Sequence, residues 1–229
     1  MNIAELNKKF ETADPHAILR WAIATYGQKT AVSSSFGAQS AVLLHMLSEI
    51  DPAVPVLFLN TGFLFKETIQ YKDLLAKRLK LNIREFLPTP QQLEIVRKRL
   101  AEPNNKPGVC CDETKVDLMK RSLEGVSCWI AGLRRKQSST RKDIEIIEEY
   151  GSGLIKVHPI APWTSKDVYD YMKKHDLPFH PLWEKGYTSI GCEPCTRPPN
   201  PGEDERSGRW AGQDKTECGI HTFLPKEKK

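Results

Sequence analysis

The sequence predicts an α/β fold: a mostly parallel twisted sheet with helices on both faces. Two runs rich in β-branched and apolar residues, Thr30 to Ser34 and Pro55 to Leu59, are each followed by a glycine-containing turn and then by an amphipathic helical pattern. Further short strand-like runs alternate with helical ones along the chain, the pattern of parallel strands joined by helical crossovers.

At the N-terminus, residues 1 to 27 read as two helices. Asp14-Pro15 opens the second with an N-cap followed by a first-turn proline, and Ile18, Leu19 and Ile23 follow at helical spacing. After the first strand, residues 38 to 50 form a helix, and residues 65 to 79 do so after the second. Leu81 to Leu87 is a third strand, Lys115 to Leu123 a helix, Cys128 to Ala131 a short buried strand, and Leu154 to Ile160 another. Thr164 caps a helix that runs to about His175 and stops before Leu177-Pro178. Beyond it the chain is rich in proline, glycine and charge, with little periodicity. The expected division is an α/β body over residues 1–200 and a flexible tail over residues 201–229. Ala101 to Gly108, ending at a cysteine pair, reads as a mobile loop at the site.

At 229 residues the chain buries enough apolar surface to fold without disulfide staples. No apolar run approaches the roughly 20 residues that cross a bilayer, and Met1 to Leu6 lacks the basic and apolar regions of a signal peptide. The expected compartment is therefore the cytoplasm, where thiols stay reduced, so six cysteines there point to ligation or catalysis. The formal net charge of +5 suits a small polyanion as well as a nucleic acid. Aromatic residues are not interleaved with the arginines, so base stacking lacks a platform, and neither a nucleic acid nor a membrane is expected as partner.

Three segments carry the chemistry. In the first, residues 31–40, a strand turns into a helix through Ser34, Ser35 and Gly37. Successive amides and hydroxyls can there converge on an anion at the helix N-terminus, although the lysine of a Walker loop is missing. Thr61 and Gly62 follow the second strand at its carboxyl end, where nucleotide base or ribose is contacted in open α/β sheets. Another segment, residues 132–141, carries Arg134 and Arg135, whose forked guanidinium groups match phosphate and sulfate oxygens.

The third feature is the cysteines. Cys192-Glu193-Pro194-Cys195 offers two sulfurs from one tight turn, and Cys110 with Cys111 supplies two more. Adjacent cysteines diverge along a regular backbone, which favours a multi-iron cluster over mononuclear zinc, with zinc left open. Cys128, within Ser127-Cys128-Trp129-Ile130-Ala131, reads as core. Cys218, followed by His221 and preceded by Arg206 and Arg209, is placed to act as a thiolate nucleophile, its pKa lowered by these cations.

Together, Ser34-Ser35-Phe36-Gly37, Asn60-Thr61-Gly62, Cys110-Cys111, Gly132-Leu133-Arg134-Arg135-Lys136-Gln137-Ser138, Cys192/Cys195, Gly208-Arg209-Trp210 and Glu217-Cys218-Gly219-Ile220-His221 resemble the sulfonucleotide reductase family of assimilatory sulfate reduction. That resemblance spans about Ala31 to His221. It implies an adenine-nucleotide α-hydrolase-like fold with a modified pyrophosphatase loop, and a [4Fe-4S] cluster on Cys110, Cys111, Cys192 and Cys195. It also implies Lys115 near cluster and substrate, with Arg134, Arg135, Arg206, Arg209 and His221 around the phosphosulfate.

The implied activity is thioredoxin- or glutaredoxin-dependent reduction of adenosine 5′-phosphosulfate to sulfite and AMP, through an S-sulfocysteine on Cys218. Cluster-bearing members usually take the substrate without a 3′-phosphate. Against that, residues 36–40 lack the acidic pair often present there, and residues 61–65 resemble the users of 3′-phosphoadenosine 5′-phosphosulfate, which stays an alternative. More distant alternatives are an ATP-dependent tRNA thiolase on the same loop and a zinc-stabilised binding module. A homo-oligomer is compatible with all of these.

Overall fold

The computed structural model describes residues 2–102, 111–211 and 215–224. Helix α1 (Ile3–Phe10) is capped by Asn2, whose side chain accepts from the Glu5 amide, and α2 (Pro15–Tyr26) by Asp14, which accepts from His16. A six-stranded sheet follows in the order β3-β2-β1-β4-β6-β5, made of β1 (Thr30–Ser33), β2 (Pro55–Leu59), β3 (Asn82–Phe86), β4 (Cys128–Ala131), β5 (Ile147–Tyr150) and β6 (Leu154–Val157). All neighbours are parallel except β5, which pairs antiparallel with β6 at the edge.

Strand alternation sorts the core into two faces. Val32, Val56, Phe58, Cys128, Ile130, Ile155 and Val157 join the main cluster with α2, with α3 (Ala41–Ile50) and with α7 (Ser165–Lys174). Trp129 and Ala131, one residue out of phase, face a smaller cluster with Met119 of α6 (Asp117–Ser122). Strand β4 is buried at all four positions, as strands covered on both faces are. Cys128 lies wholly inside the main cluster, where burial pushes its thiol up to about 12.

Three elements differ from the expected pattern. Strand β5 and helix α5 (Pro90–Ala101), which Thr89 opens with a capping box to Gln92, form where the sequence pattern predicts no element. The helix expected from Lys115 begins instead as a π-helical turn, Cys111–Val116, before α6. π-turns recur at functional sites because the wider turn re-aims side chains, and here the turn carries Cys111 and Lys115.

Between residues 178 and 211 the chain is irregular yet fixed. It is pinned to α4 (Lys66–Leu79) by Tyr71, whose hydroxyl donates to the Pro178 carbonyl (2.7 Å), and by Thr68, 3.1 Å from His180 Nε2. Within the tail, Ile220, Phe223 and Leu224 pack against the Trp129 cluster, so this part lies on the α/β body. Residues 103–108 of the expected mobile loop lie outside the described residues.

Candidate active site

The strand order reverses between β1 and β4, and in open α/β sheets ligands bind outside the carboxyl ends of the strands at that point. A cavity opens there, lined by the β1 loop (Ser34, Ser35 and Gly37), by Arg134 after β4, by Lys115, and by Arg206, Arg209, Cys218 and His221 from the C-terminal segments. Helix α3 starts just beyond the serine loop, and no side chain caps its first amides. Ser34 Oγ accepts from the Phe36 amide (3.1 Å), which folds the loop back on itself. These amides and the helix dipole favour an anion at this end.

The cations around the cavity divide by partner. Arg134 is fully buried and donates to Gln39 Oε1, to Glu205 Oε2 (3.3 Å) and to the Trp163 carbonyl (3.3 Å). Glu217, next to Cys218, takes Arg141 bidentately at 2.7 and 2.8 Å and Arg206 at 3.1 Å. Burial pushes Arg206 down to about 10, which leaves it charged at neutral pH. Lys115 and Arg209 have no carboxylate within ion-pair distance among the described residues. Burial opposes the charge on Lys115, but the neighbouring sulfurs of Cys192, Cys218 and Cys111 outweigh it and hold the amine above the ordinary lysine range. Cations with no carboxylate partner among the described residues therefore face the cavity beside a thiol.

Arg209 owes its place to two glycines. A Cβ at Gly191 would lie 2.2 Å from the Arg209 guanidinium, and one at Gly208 would lie 2.0 Å from the Arg197 carbonyl oxygen. The guanidinium also stacks over Trp210 at 4.5 Å.

Cys192 and Cys195 sit on one turn, bolted on both sides. The Glu193 amide donates to the Phe63 carbonyl (2.8 Å), and the Trp210 amide donates to the Cys195 carbonyl (3.0 Å). Thr61 Oγ1 lies 3.2 Å from Cys192 Sγ. Cys111, Cys192 and Cys195 are all buried, while Cys110 falls outside the described residues. Cys111 and Cys192 both lie near enough to Lys115 to act on its charge. Buried thiols from two chain segments beside a protonated lysine suit the thiolate ligation by which iron-sulfur clusters are held.

Some expected positions differ. Arg135, expected beside the phosphosulfate, does not line the cavity. Its guanidinium is taken by Glu11 and the Ile144 carbonyl, because adjacent residues leave the strand end in opposite directions. Thr61 and Gly62 are not in the lining either, and Thr61 meets the cysteine turn instead. His221, expected as a cation beside the thiol, is half-buried, its ring stacked on Trp129. Burial first, and then Lys156 and Arg141, drive its pKa far down, so the ring is neutral and Nδ1 is buried with no hydrogen-bond partner. Lys115 and Arg206 both lie near enough to Cys218 for its sulfur to act on their charge. Arg141 and Glu217, not singled out from the sequence as site residues, line the cavity as well. Arg141 closes the same basic run as Arg134, a signal that was visible.

Residues 29–198 match the family model described as the phosphoadenosine phosphosulfate reductase domain. The chain is 40% identical over 226 residues to an adenosine 5′-phosphosulfate reductase of Halalkalibacterium halodurans, covering 96% of this chain and 97% of that protein. It is 44% identical over 226 residues to a phosphoadenosine 5′-phosphosulfate reductase of Xylella fastidiosa, covering 96% and 94%. A crystal structure of phosphoadenylyl-sulfate reductase from Candida auris, in a phosphate complex, superposes with a TM-score of 0.74 at 25% identity over 85% of this chain and 96% of that one. An FMN adenylyltransferase of Candida glabrata shares the fold alone, with a TM-score of 0.59 at 14% identity over 80% and 64%. With its serine loop, its cation-lined cavity and its cysteine turn on this sheet, the chain belongs to the phosphoadenosine phosphosulfate reductase domain family.

Proposed function

We propose that the chain reduces adenosine 5′-phosphosulfate to sulfite and AMP, with Cys218 as the nucleophile. The observation that carries this is the meeting of Cys218 with Lys115, Arg209 and the serine loop in one cation-lined cavity. A dianionic phosphosulfate needs such charge, and a thiolate attacking its sulfur needs the same charge to offset repulsion between anions.

In the first step the Cys218 thiolate forms an S–S bond to the sulfate sulfur. The bond from that sulfur to the bridging oxygen breaks, and AMP leaves with the electron pair. Lys115 and Arg209 stabilise the charge on the transferring group and on the leaving phosphate. His221, neutral and with an unpartnered buried Nδ1, is suited to hydrogen-bond the substrate without adding charge. In the second step a thiolate of thioredoxin or glutaredoxin attacks Cys218 Sγ, and sulfite departs with the S–S electron pair. The donor's second thiol then resolves the mixed disulfide, so two electrons come from the dithiol. That step requires the tail to leave the cavity, a lid movement.

Cys110, Cys111, Cys192 and Cys195 are the residues that would hold a [4Fe-4S] cluster, which when bound would join their loops and set a negative centre beside Lys115. The work of the chain itself at that end is to bury the thiols and to keep Lys115 protonated. Relatives carry both substrate names, and this favours a second reading, the same chemistry on 3′-phosphoadenosine 5′-phosphosulfate. Sulfite release from each nucleotide with thioredoxin tests both, and a kcat/KM at least tenfold higher without the 3′-phosphate is expected. Absence of sulfite from both nucleotides would overturn both readings, and sulfite from the 3′-phosphorylated nucleotide alone would overturn the first.

A further inference from the structure

Three of the six histidines of the chain gather away from the cavity. His45 and Glu49 lie one turn apart on α3, His175 closes the C-terminus of α7, and His16 stands in the first turn of α2. One donor atom each from His45, Glu49 and His175 falls within 4.8 Å of the others. His45 Nδ1 is 3.5 Å from Glu49 Oε2, and the His45 and His175 rings are 4.8 Å apart between centroids. A tetrahedral ion with bonds of about 2.0–2.1 Å holds its donors about 3.3 Å apart. The first pair is already near that spacing, and the half-exposed Glu49 and partly buried His175 can close the rest by side-chain rotation.

Neighbouring side chains hold the candidate ligands. His16 presents Nδ1 to Asp14 Oδ1 and Nε2 to Glu49 Oε2, both at 3.0 Å, which fixes the Glu49 carboxylate beside α2. The same Glu49 oxygen also faces His45, and the Tyr171 hydroxyl at 3.5 Å. Tyr171 in turn lies 2.9 Å from His45 Nδ1, the nitrogen that also faces Glu49, and stacks on His175 at 4.2 Å, which orients that ring.

We propose that His45, Glu49 and His175 form a three-ligand site for a borderline divalent cation of the zinc class, with His16 and Tyr171 orienting the ligands. Two imidazoles and one carboxylate suit zinc better than the hard cations, which prefer oxygen alone. The bound ion would tie the end of α7 to α3 and, through His16, to α2. This is separate from the cysteine turn, which offers sulfur only.

The test is a calorimetric titration of the full chain with Zn²⁺ under nitrogen, paired with side-chain ¹⁵N spectra of the histidines. One equivalent is expected to move the His45 and His175 ring signals while leaving His180 unchanged. His175→Gln and His45→Gln are each expected to weaken that binding at least tenfold, and His16→Gln less. Zinc is also expected to raise the thermal midpoint of the wild type and not that of His175→Gln. Should His45→Gln fail to fold, His175→Gln, altered at a helix end, decides alone. Equal zinc affinity in wild type and His175→Gln would overturn the proposal, as would binding that leaves the His45 and His175 signals in place.

Discussion

His221 lies face to face on Trp129, with ring centroids 5.4 Å apart and planes 15° from parallel. Trp129 belongs to β4, and its indole Nε1–H donates to Ser33 Oγ at 2.7 Å, at the start of the serine loop. Lys156 Nζ lies over the same indole at 4.2 Å. One side chain of the sheet therefore contacts both the segment that carries Cys218 and the loop suited to the nucleotide phosphates.

Removing that platform should loosen the tail. Trp129→Ala loses a ring stack of about 0.5–1.5 kcal/mol and a hydrogen bond of about 1 kcal/mol, so amide exchange over residues 218–224 should quicken by about tenfold. Trp129→Phe keeps a stacking face and loses only the Ser33 bond, and its tail should exchange at an intermediate rate. Unchanged exchange in Trp129→Ala would show that the tail is held elsewhere.

The two glycines around Arg209 should respond differently to the same added methyl. At Gly208 the obstacle is the Arg197 backbone, whose amide also donates to the Gly208 carbonyl at 2.9 Å. Gly208→Ala is expected to cost about 3 kcal/mol in unfolding free energy. At Gly191 the obstacle is the end of a flexible side chain, so Gly191→Ala should stay folded and displace the Arg209 guanidinium. Its KM for the sulfonucleotide should then rise about tenfold or more, from a charge-assisted contact of about 1.5–3 kcal/mol. Denaturant unfolding and steady-state kinetics separate the two effects.

Acid should destabilise the protein through His180. Its ring is buried, with Nδ1 accepting from the Leu182 amide (3.1 Å) and Nε2 facing Thr68, and burial lowers its pKa to about 4. The folded pKa lies below the unfolded value of about 6.5, so as pH falls the unfolded chain takes the proton first. The contribution is complete above pH 6.5 and is lost progressively down to about pH 4, where the loss amounts to about 3 kcal/mol. Thermal midpoints across that window should fall more steeply in the wild type than in His180→Gln.

Elements buried on both faces were legible in the sequence. β1, β2 and β4 are short apolar runs bounded by turn residues, and caps such as Asp14-Pro15 and Thr164 marked the helices they open. Strand β5 escaped because Glu148 and Glu149 interrupt it, and the burial of Glu148 rests on a hydrogen bond from Tyr150 (2.8 Å) and on His158, contacts that no local pattern encodes. Helix α5 escaped because it buries only Val96 and so shows little apolar periodicity, even though Thr89 and Gln92 spell its capping box. At the site, residue types announced the chemistry but not the direction of each side chain. Arg134 and Arg135 are neighbours of one type, and only the fold sends one into the cavity and the other to Glu11. The charge on His221 was likewise unreadable, since it depends on the stack with Trp129 and on surrounding cations.

The account turns on Cys218 as the sulfur that receives the sulfonate. The most direct measurement is mass mapping of the enzyme after one turnover with adenosine 5′-phosphosulfate and no reductant, comparing wild type with Cys218→Ser. The account predicts one sulfonate on the peptide that contains Cys218, its release as sulfite on adding thioredoxin, and neither in the variant. A sulfonate on any other cysteine, or sulfite formed at an equal rate by Cys218→Ser, would contradict it.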